Sequence, residues 1–398
     1  MKEEVMQRIS AVYARPGMTL ASPVFDNWGD IIIEDRTILG PKDIDKITNT
    51  GIGELFITND YTADLQLKPI IDPLLSGAIS KALRRFIIEI RTTLTSKSHH
   101  LIDIKPLIEY TKELVSQLSS IDDGDISING CFSLKDYNFV HPVKVAAISI
   151  LIGISEKMSE SELVEMGMAS LFQNIGYALI PHGILEKAGP LNEIELQIVQ
   201  KHPVYAQEIL SRYVEIEPSI IDIVLQHHER WDGRGYPNKL RYDDILKPAQ
   251  IIGITDTCFA LASKRPHREE FLPSFAIEQS IVTPKDAIEF IFAYSGELFN
   301  PELVRTFTSQ IPVFPKGVKI KLNNGKEGVV CKANSGILRR PQLRIYNKKR
   351  KYKLPSLPVE NNGGDKNKIT AETSRNWRNL DLSKGNQKRV FVVDTFDY

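Results

Sequence analysis

Apolar positions change their period three times along the chain. Residues near 12–58 alternate short apolar runs with turn signals, as in RPGMTLASPVFDNWGDIIIEDRTILG, which predicts a small β-rich module finishing with a helix near PKDIDKITNTG. From Pro73 to about Ser120 the apolar residues of LLSGAISKALRRFIIEIRTTL and IKPLIEYTKELVSQLSS recur at helical spacing, so two linking helices are expected. The stretch from about Ile126 to Ile311 reads as helical almost throughout. Within it, SESELVEMG and PLNEIELQIVQKH place Ser or Asn three residues ahead of Glu, the spacing of a capping box. After Pro315 the alternation returns around an Asn-Gly pair, a strong hairpin signal. The fold class is therefore mainly α: an all-α helical domain flanked by a small N-terminal α+β module and a small C-terminal β module. The corresponding divisions are 1–70 for the β-rich front, 71–125 for a helical linker, 126–312 for the helical domain and 313–398 for the rear module.

Composition narrows the setting more than the function. The chain has 398 residues with 42% hydrophobic content, enough for a sizeable core, and 50 basic side chains balance 50 acidic ones. That balance gives no reason to expect nucleic acid or an anionic membrane as a partner. Cys131, Cys258 and Cys331 lie far apart with no CxxC spacing, which suits a reducing compartment, and the cytoplasm is the expected location. The N-terminus lacks the apolar stretch of a signal peptide, and the longest apolar runs are too short to span a bilayer.

The chemistry-bearing residues concentrate in the helical segment. His141, His202, His227 and His228 fall in predicted helices, and Asp256 sits in the apolar run IIGITDTCFALAS, where a buried carboxylate needs a partner. Four imidazoles and one carboxylate suit a divalent metal, and they equally suit a hydrogen-bonded polar core. His99, His100 and His182 occupy loop-like settings and receive no role. The basic run Lys348–Lys353 reads as a solvated hairpin edge, whose lysines discourage strand pairing, rather than as a phosphate patch.

HHERWDGRGYP, residues 227–237, carries all eight fixed letters of the HHExxDGxGYP signature, and in this it resembles the HD-GYP family of bacterial enzymes that open cyclic di-GMP. DTCFALASKRPHR is similar to that family's DxxDALTSxRPYR segment. The resemblance implies a metal centre using His141, His202, His227, His228 and Asp256, with Fe or Mn as the expected ion and Zn as the alternative. It also implies that Tyr236, Arg265 and Arg268 bind the dinucleotide, and that Gly235, Tyr236 and Pro237 form a surface for diguanylate cyclase-type partners. A homodimer is compatible with it. The sequence departs from the pattern at LFQNIGY: Gln173 and Asn174 stand where the family has its His-Asp pair, and Tyr177 replaces the lysine that follows. Tyr137 stands where some members carry a glutamate for a third metal. Phe259, Ala262 and His267 also differ from the family's acid, threonine and tyrosine.

The departure has a physical consequence. Two-metal phosphodiester cleavage needs ions about 3.5–4 Å apart that share ligands and activate a water between them. A neutral Asn174 cannot offset the repulsion between two dications, and Gln173 lacks the imidazole lone pair. The expectation is one ion on His202, His227 and His228, or none, rather than a full two-metal centre. Two functions follow from that expectation: a protein that binds cyclic di-GMP or a signalling partner with impaired hydrolysis, or a phosphodiesterase working with an altered metal site.

Overall fold

A computed structural model of the chain describes residues 6–25, 30–50, 52, 54–58, 70–96, 103–121, 137–187, 189–262, 284–312, 319–322, 324, 326–332, 341–345, 378–381 and 392–395. The front contains strands β1 (Met6–Ser10), β2 (Thr19–Leu20), β3 (Val24–Phe25) and β4 (Ile31–Ile33), helix α1 (Pro41–Thr50) and strand β5 (Glu54–Thr58). The helix expected to finish this module is followed by β5, which pairs antiparallel with both β1 and β2 and so occupies the centre of their sheet. Alternation places Ile9, Leu20, Leu55 and Ile57 on one face, where they pack with Val24, Ile33, Leu39 and Ile47 into a core of their own.

Helices follow in series: α2 (Pro73–Ser96), α3 (Lys105–Ser119), α4 (Tyr137–Ser155), α5 (Glu160–Phe172), α6 (His182–Leu185), α7 (Glu193–Val199), α8 (His202–Leu210), α9 (Pro218–Gln226), α10 (Lys247–Ala262), α11 (Pro284–Ala293) and α12 (Pro301–Gln310). Both expected capping boxes form. The Ser159 side chain takes the Glu162 amide while the Glu162 carboxylate takes the Ser159 amide, and Asn192 with Glu195 does the same at α7. Helix α10 is buried from Ile251 to Leu261 without interruption, which is why its single carboxylate, Asp256, lies in the protein interior.

The rear strands β6 (Lys319–Leu322), β7 (Glu327–Lys332), β8 (Gln342–Ile345), β9 (Arg378–Asp381) and β10 (Val392–Thr395) form an antiparallel sheet in the order β10-β6-β7-β8-β9. One apolar core joins Leu83 of α2, Leu114 of α3, Ile150 of α4, Phe172 of α5, Ile252 of α10 and Phe307 of α12, and it continues into Ile320, Val330 and Leu343 of this sheet. Helices α2 and α3 are thus packed within the same core as the later helices. The fold class read from the pattern of residues is the one observed. Among the described residues no helix is long and apolar enough to cross a membrane. Lys348–Lys353, His99, His100 and Cys131 lie outside the described residues.

Candidate metal centre

Three elements bring histidines to one buried point. His202 is the first residue of α8, His227 caps the C-terminal end of α9, and His228 lies in the turn just beyond it, so the last two sit outside the helix in which they were expected. All three are at most 1% exposed, and one ring nitrogen from each lies within 4.8 Å of the others. Gly176 makes this approach workable, because a Cβ there would stand 1.9 Å from the His202 carbonyl oxygen. Only glycine fits the turn against the start of α8.

The hydrogen bonds fix the tautomers. His202 Nδ1–H donates to the Val199 carbonyl at 2.9 Å, and His227 Nδ1–H donates to the Val224 carbonyl at 2.6 Å. A carbonyl oxygen only accepts, so in each neutral ring the proton sits on Nδ1 and Nε2 carries a lone pair. These two Nε2 atoms face each other at 3.3 Å. Protonating one ring would relieve the clash of lone pairs, yet burial holds the His227 imidazole down to about 4, against the help of Asp256 and the Val224 carbonyl. A cation relieves it instead. Two nitrogens each ~2.1 Å from one tetrahedral ion lie ~3.4 Å apart, so this pair fits a divalent metal.

The other expected ligands are arranged differently. His141, on α4, and Asp256, on α10, are 4% and 2% exposed and bond directly, Nε2 to Oδ1, at 2.6 Å. Gln173, at the C-terminal end of α5 and fully buried, donates its Nε2–H to the same Oδ1 at 3.3 Å, while its own Oε1 has no hydrogen-bond partner among the described residues. Asp256 is therefore held by an imidazole and an amide. Asn174 is half-buried in the turn that follows, and the Tyr177 ring packs on His202 with centroids 4.5 Å apart.

The loop after the histidines is fastened to them by the motif's remaining letters. Glu229, 4% exposed, accepts the backbone N–H of Asn238 at 2.6 Å and of Leu240 at 3.0 Å, and the Tyr236 amide donates to the His228 carbonyl. Burial raises the Glu229 carboxyl above its ordinary range, and those backbone N–H groups oppose the shift. Gly235 admits no Cβ, which would stand 2.4 Å from the Arg230 amide nitrogen. The Tyr236–Pro237 peptide is cis, and the Tyr236 ring stacks on His228 with centroids 4.7 Å apart. Gly235 is buried and Tyr236 and Pro237 are half-buried, leaving Arg234, Asn238 and Lys239 as the loop's exposed side chains.

The profile of the HD domain family matches residues 104–288, a segment that contains every one of these side chains. The central segment is an HD domain of the HD-GYP type. The chain is 28% identical over 251 residues to a cyclic di-GMP phosphodiesterase of Pseudomonas aeruginosa, covering 62% of this chain and 58% of that protein. It is 33% identical over 173 residues to a cyclic di-GMP phosphodiesterase of Thermotoga maritima, with 42% and 43% covered. It is also 31% identical over 205 residues to a 3'3'-cGAMP-specific phosphodiesterase of Vibrio cholerae, with 51% and 35% covered. The chain thus spans about a third to three fifths of the length of these relatives.

Within the HD-GYP segment the structure separates the five expected ligands into a three-histidine cluster and a directly bonded His141–Asp256 pair. Arg265 and Arg268, like His267, lie outside the described residues. Two contributors were not singled out from the sequence. Arg230 donates to the carbonyls of His227 and Glu229 and to Thr257 Oγ1, tying the histidine turn to the helix that carries Asp256. Glu229 appeared only as a motif letter, although its spacing from Asn238 and Leu240 spans the loop it holds. No local pattern marks either role, because each depends on residues brought together by folding.

Proposed function

We propose that this HD-GYP protein acts in cyclic di-GMP signalling, binding the dinucleotide at an HD domain that holds one divalent ion, with hydrolysis impaired. The observation that carries this reading is the contrast between two halves of one buried cluster. His202 and His227 direct lone pairs at each other, 3.3 Å apart and beside His228, which suits a cation. His141 and Gln173 both bond to Asp256 Oδ1, so a second ion at that oxygen would have to displace these contacts. Three imidazoles suit Zn, Fe or Mn.

A bound ion would supply positive charge for a phosphate oxygen. The protein's own residues do the rest. Tyr236, stacked on His228, holds a phenol beside the cluster, where it can pack on a base or donate to a phosphate oxygen. Arg265 and Arg268, carried over from the resemblance, would give the phosphates bidentate partners. Glu229 and Arg230 keep the loop and the histidine turn in register. The exposed rim around Gly235, Tyr236 and Pro237 is the surface assigned to a diguanylate cyclase-type partner.

The reading is tested by calorimetry with cyclic di-GMP and by following its conversion to linear dinucleotide or GMP. It expects saturable binding and turnover far below ~1 per second, the low end of ordinary enzymes. A second reading, a phosphodiesterase with an altered site, is favoured by the count of three histidines, since three protein ligands are the usual set of a hydrolytic zinc centre. Turnover at ~1 per second or faster would select it.

A further inference from the structure

The Gln173 amide makes one hydrogen bond fewer than its burial calls for. Asp256 Oδ1 already faces His141 Nε2 at 2.6 Å, and a carboxylate oxygen can receive only an N–H from the amide. Nε2 of Gln173 must therefore point at Asp256, which turns Oε1 the other way. That oxygen is fully buried and has no hydrogen-bond partner among the described residues. An orphaned buried acceptor costs about 1–3 kcal/mol, so a hydrogen-bond donor or a cation is called for. The chain beyond Gln173 points to which one: Gly176 is seated on the His202 carbonyl and the Tyr177 ring lies on the His202 ring, so this turn is held against the start of the three-histidine cluster.

We propose that Gln173 Oε1 is the fourth protein ligand of the ion bound by His202, His227 and His228, with Asp256 as the positioning residue that aims the amide. The proposal rests on the one-ion reading and deepens it. Four protein ligands close a tetrahedral shell, as in structural zinc sites, whereas hydrolytic sites keep one position open for water. The substitution at the family's histidine position would then do more than weaken a second ion. It would convert the remaining one from a water-activating centre into a closed one that shapes the pocket and attracts phosphate through its charge, without taking a phosphate oxygen as a ligand.

The test uses the full chain, stripped of metal and titrated with Co(II), whose visible absorption reports the number and type of its ligands. Wild type, Gln173→Leu, Gln173→His and His202→Ala are compared. Gln173→Leu should lose Co(II) affinity by about 10- to 100-fold, the scale on which changes around a metal act, and its absorption band should change. Gln173→His should recover the affinity with a shifted band, because nitrogen replaces oxygen. If Gln173→Leu matches wild type in affinity and spectrum while His202→Ala loses the ion, Gln173 is no ligand and the one-ion reading stands. If Gln173→Leu fails to fold, an unshifted band in Gln173→His overturns the proposal just as well. If wild type binds no Co(II), the proposal and the one-ion reading fall together.

Discussion

Replacing Glu229 with glutamine changes one atom type and should loosen a whole loop. The buried carboxylate accepts two backbone N–H groups, from Asn238 at 2.6 Å and from Leu240 at 3.0 Å. A glutamine amide keeps an oxygen for one of them and turns its NH2 group toward the other, where two donors now meet. The loss is one hydrogen bond to a charged group, about 1.5–3 kcal/mol, and the surviving bond weakens because its acceptor is neutral. Taking about 2 kcal/mol, the local opening equilibrium of the loop shifts by about 30-fold. Hydrogen exchange resolved to single amides reads this directly. The Asn238 and Leu240 amides should exchange roughly 30-fold faster in Glu229→Gln, and the Tyr236 amide, bonded to the His228 carbonyl, should follow them. Amides in the centre of α10 should be unchanged. Exchange at Asn238 and Leu240 within about 3-fold of wild type would show that the loop is held by something other than this carboxylate.

Other substitutions probe the cluster and the pocket separately. Gln173→His with Asn174→Asp should raise the divalent metal bound per chain above wild type, measured by elemental analysis, because the pair adds an imidazole and the negative charge of an oxygen ligand to the cluster; an unchanged content in a folded double variant would refute the metal-centre geometry. Arg265→Ala with Arg268→Ala should weaken cyclic di-GMP binding by at least about tenfold in calorimetry while leaving the thermal unfolding unchanged. Gly176→Ala should destabilise the helical domain by about 3 kcal/mol or more in denaturant unfolding, since its Cβ would fall 1.9 Å from the His202 carbonyl oxygen and the turn cannot close on α8.

Much of the fold was legible because local and global signals agree. Ser159 with Glu162 and Asn192 with Glu195 announced two helix starts in four letters each, and both capping boxes form. The uninterrupted burial of α10 could be anticipated from its apolar composition, and with it the need of Asp256 for a partner, which His141 supplies. Strand β5 was missed because Glu54–Thr58 is short and its pairing with β1 joins residues some fifty positions apart. The division of the candidate ligands into two groups was less accessible. It depends on Nδ1 bonds to Val199 and Val224, backbone carbonyls that no side-chain pattern encodes. Gln173 illustrates the limit most clearly. Its sequence signal was the loss of an imidazole, whereas its structural role lies in where an amide proton and an amide oxygen point.

The central claim is a single ion on His202, His227 and His228 in a cluster whose other half is closed by direct bonds. Metal content of the full chain after reconstitution with excess Mn(II), Fe(II) or Zn(II) and removal of loosely held ion tests it most directly. The account predicts about one ion per chain for wild type and none for His227→Ala, with His141→Ala retaining the ion. Two ions per chain in wild type, or loss of all metal in His141→Ala with the fold intact, would contradict it.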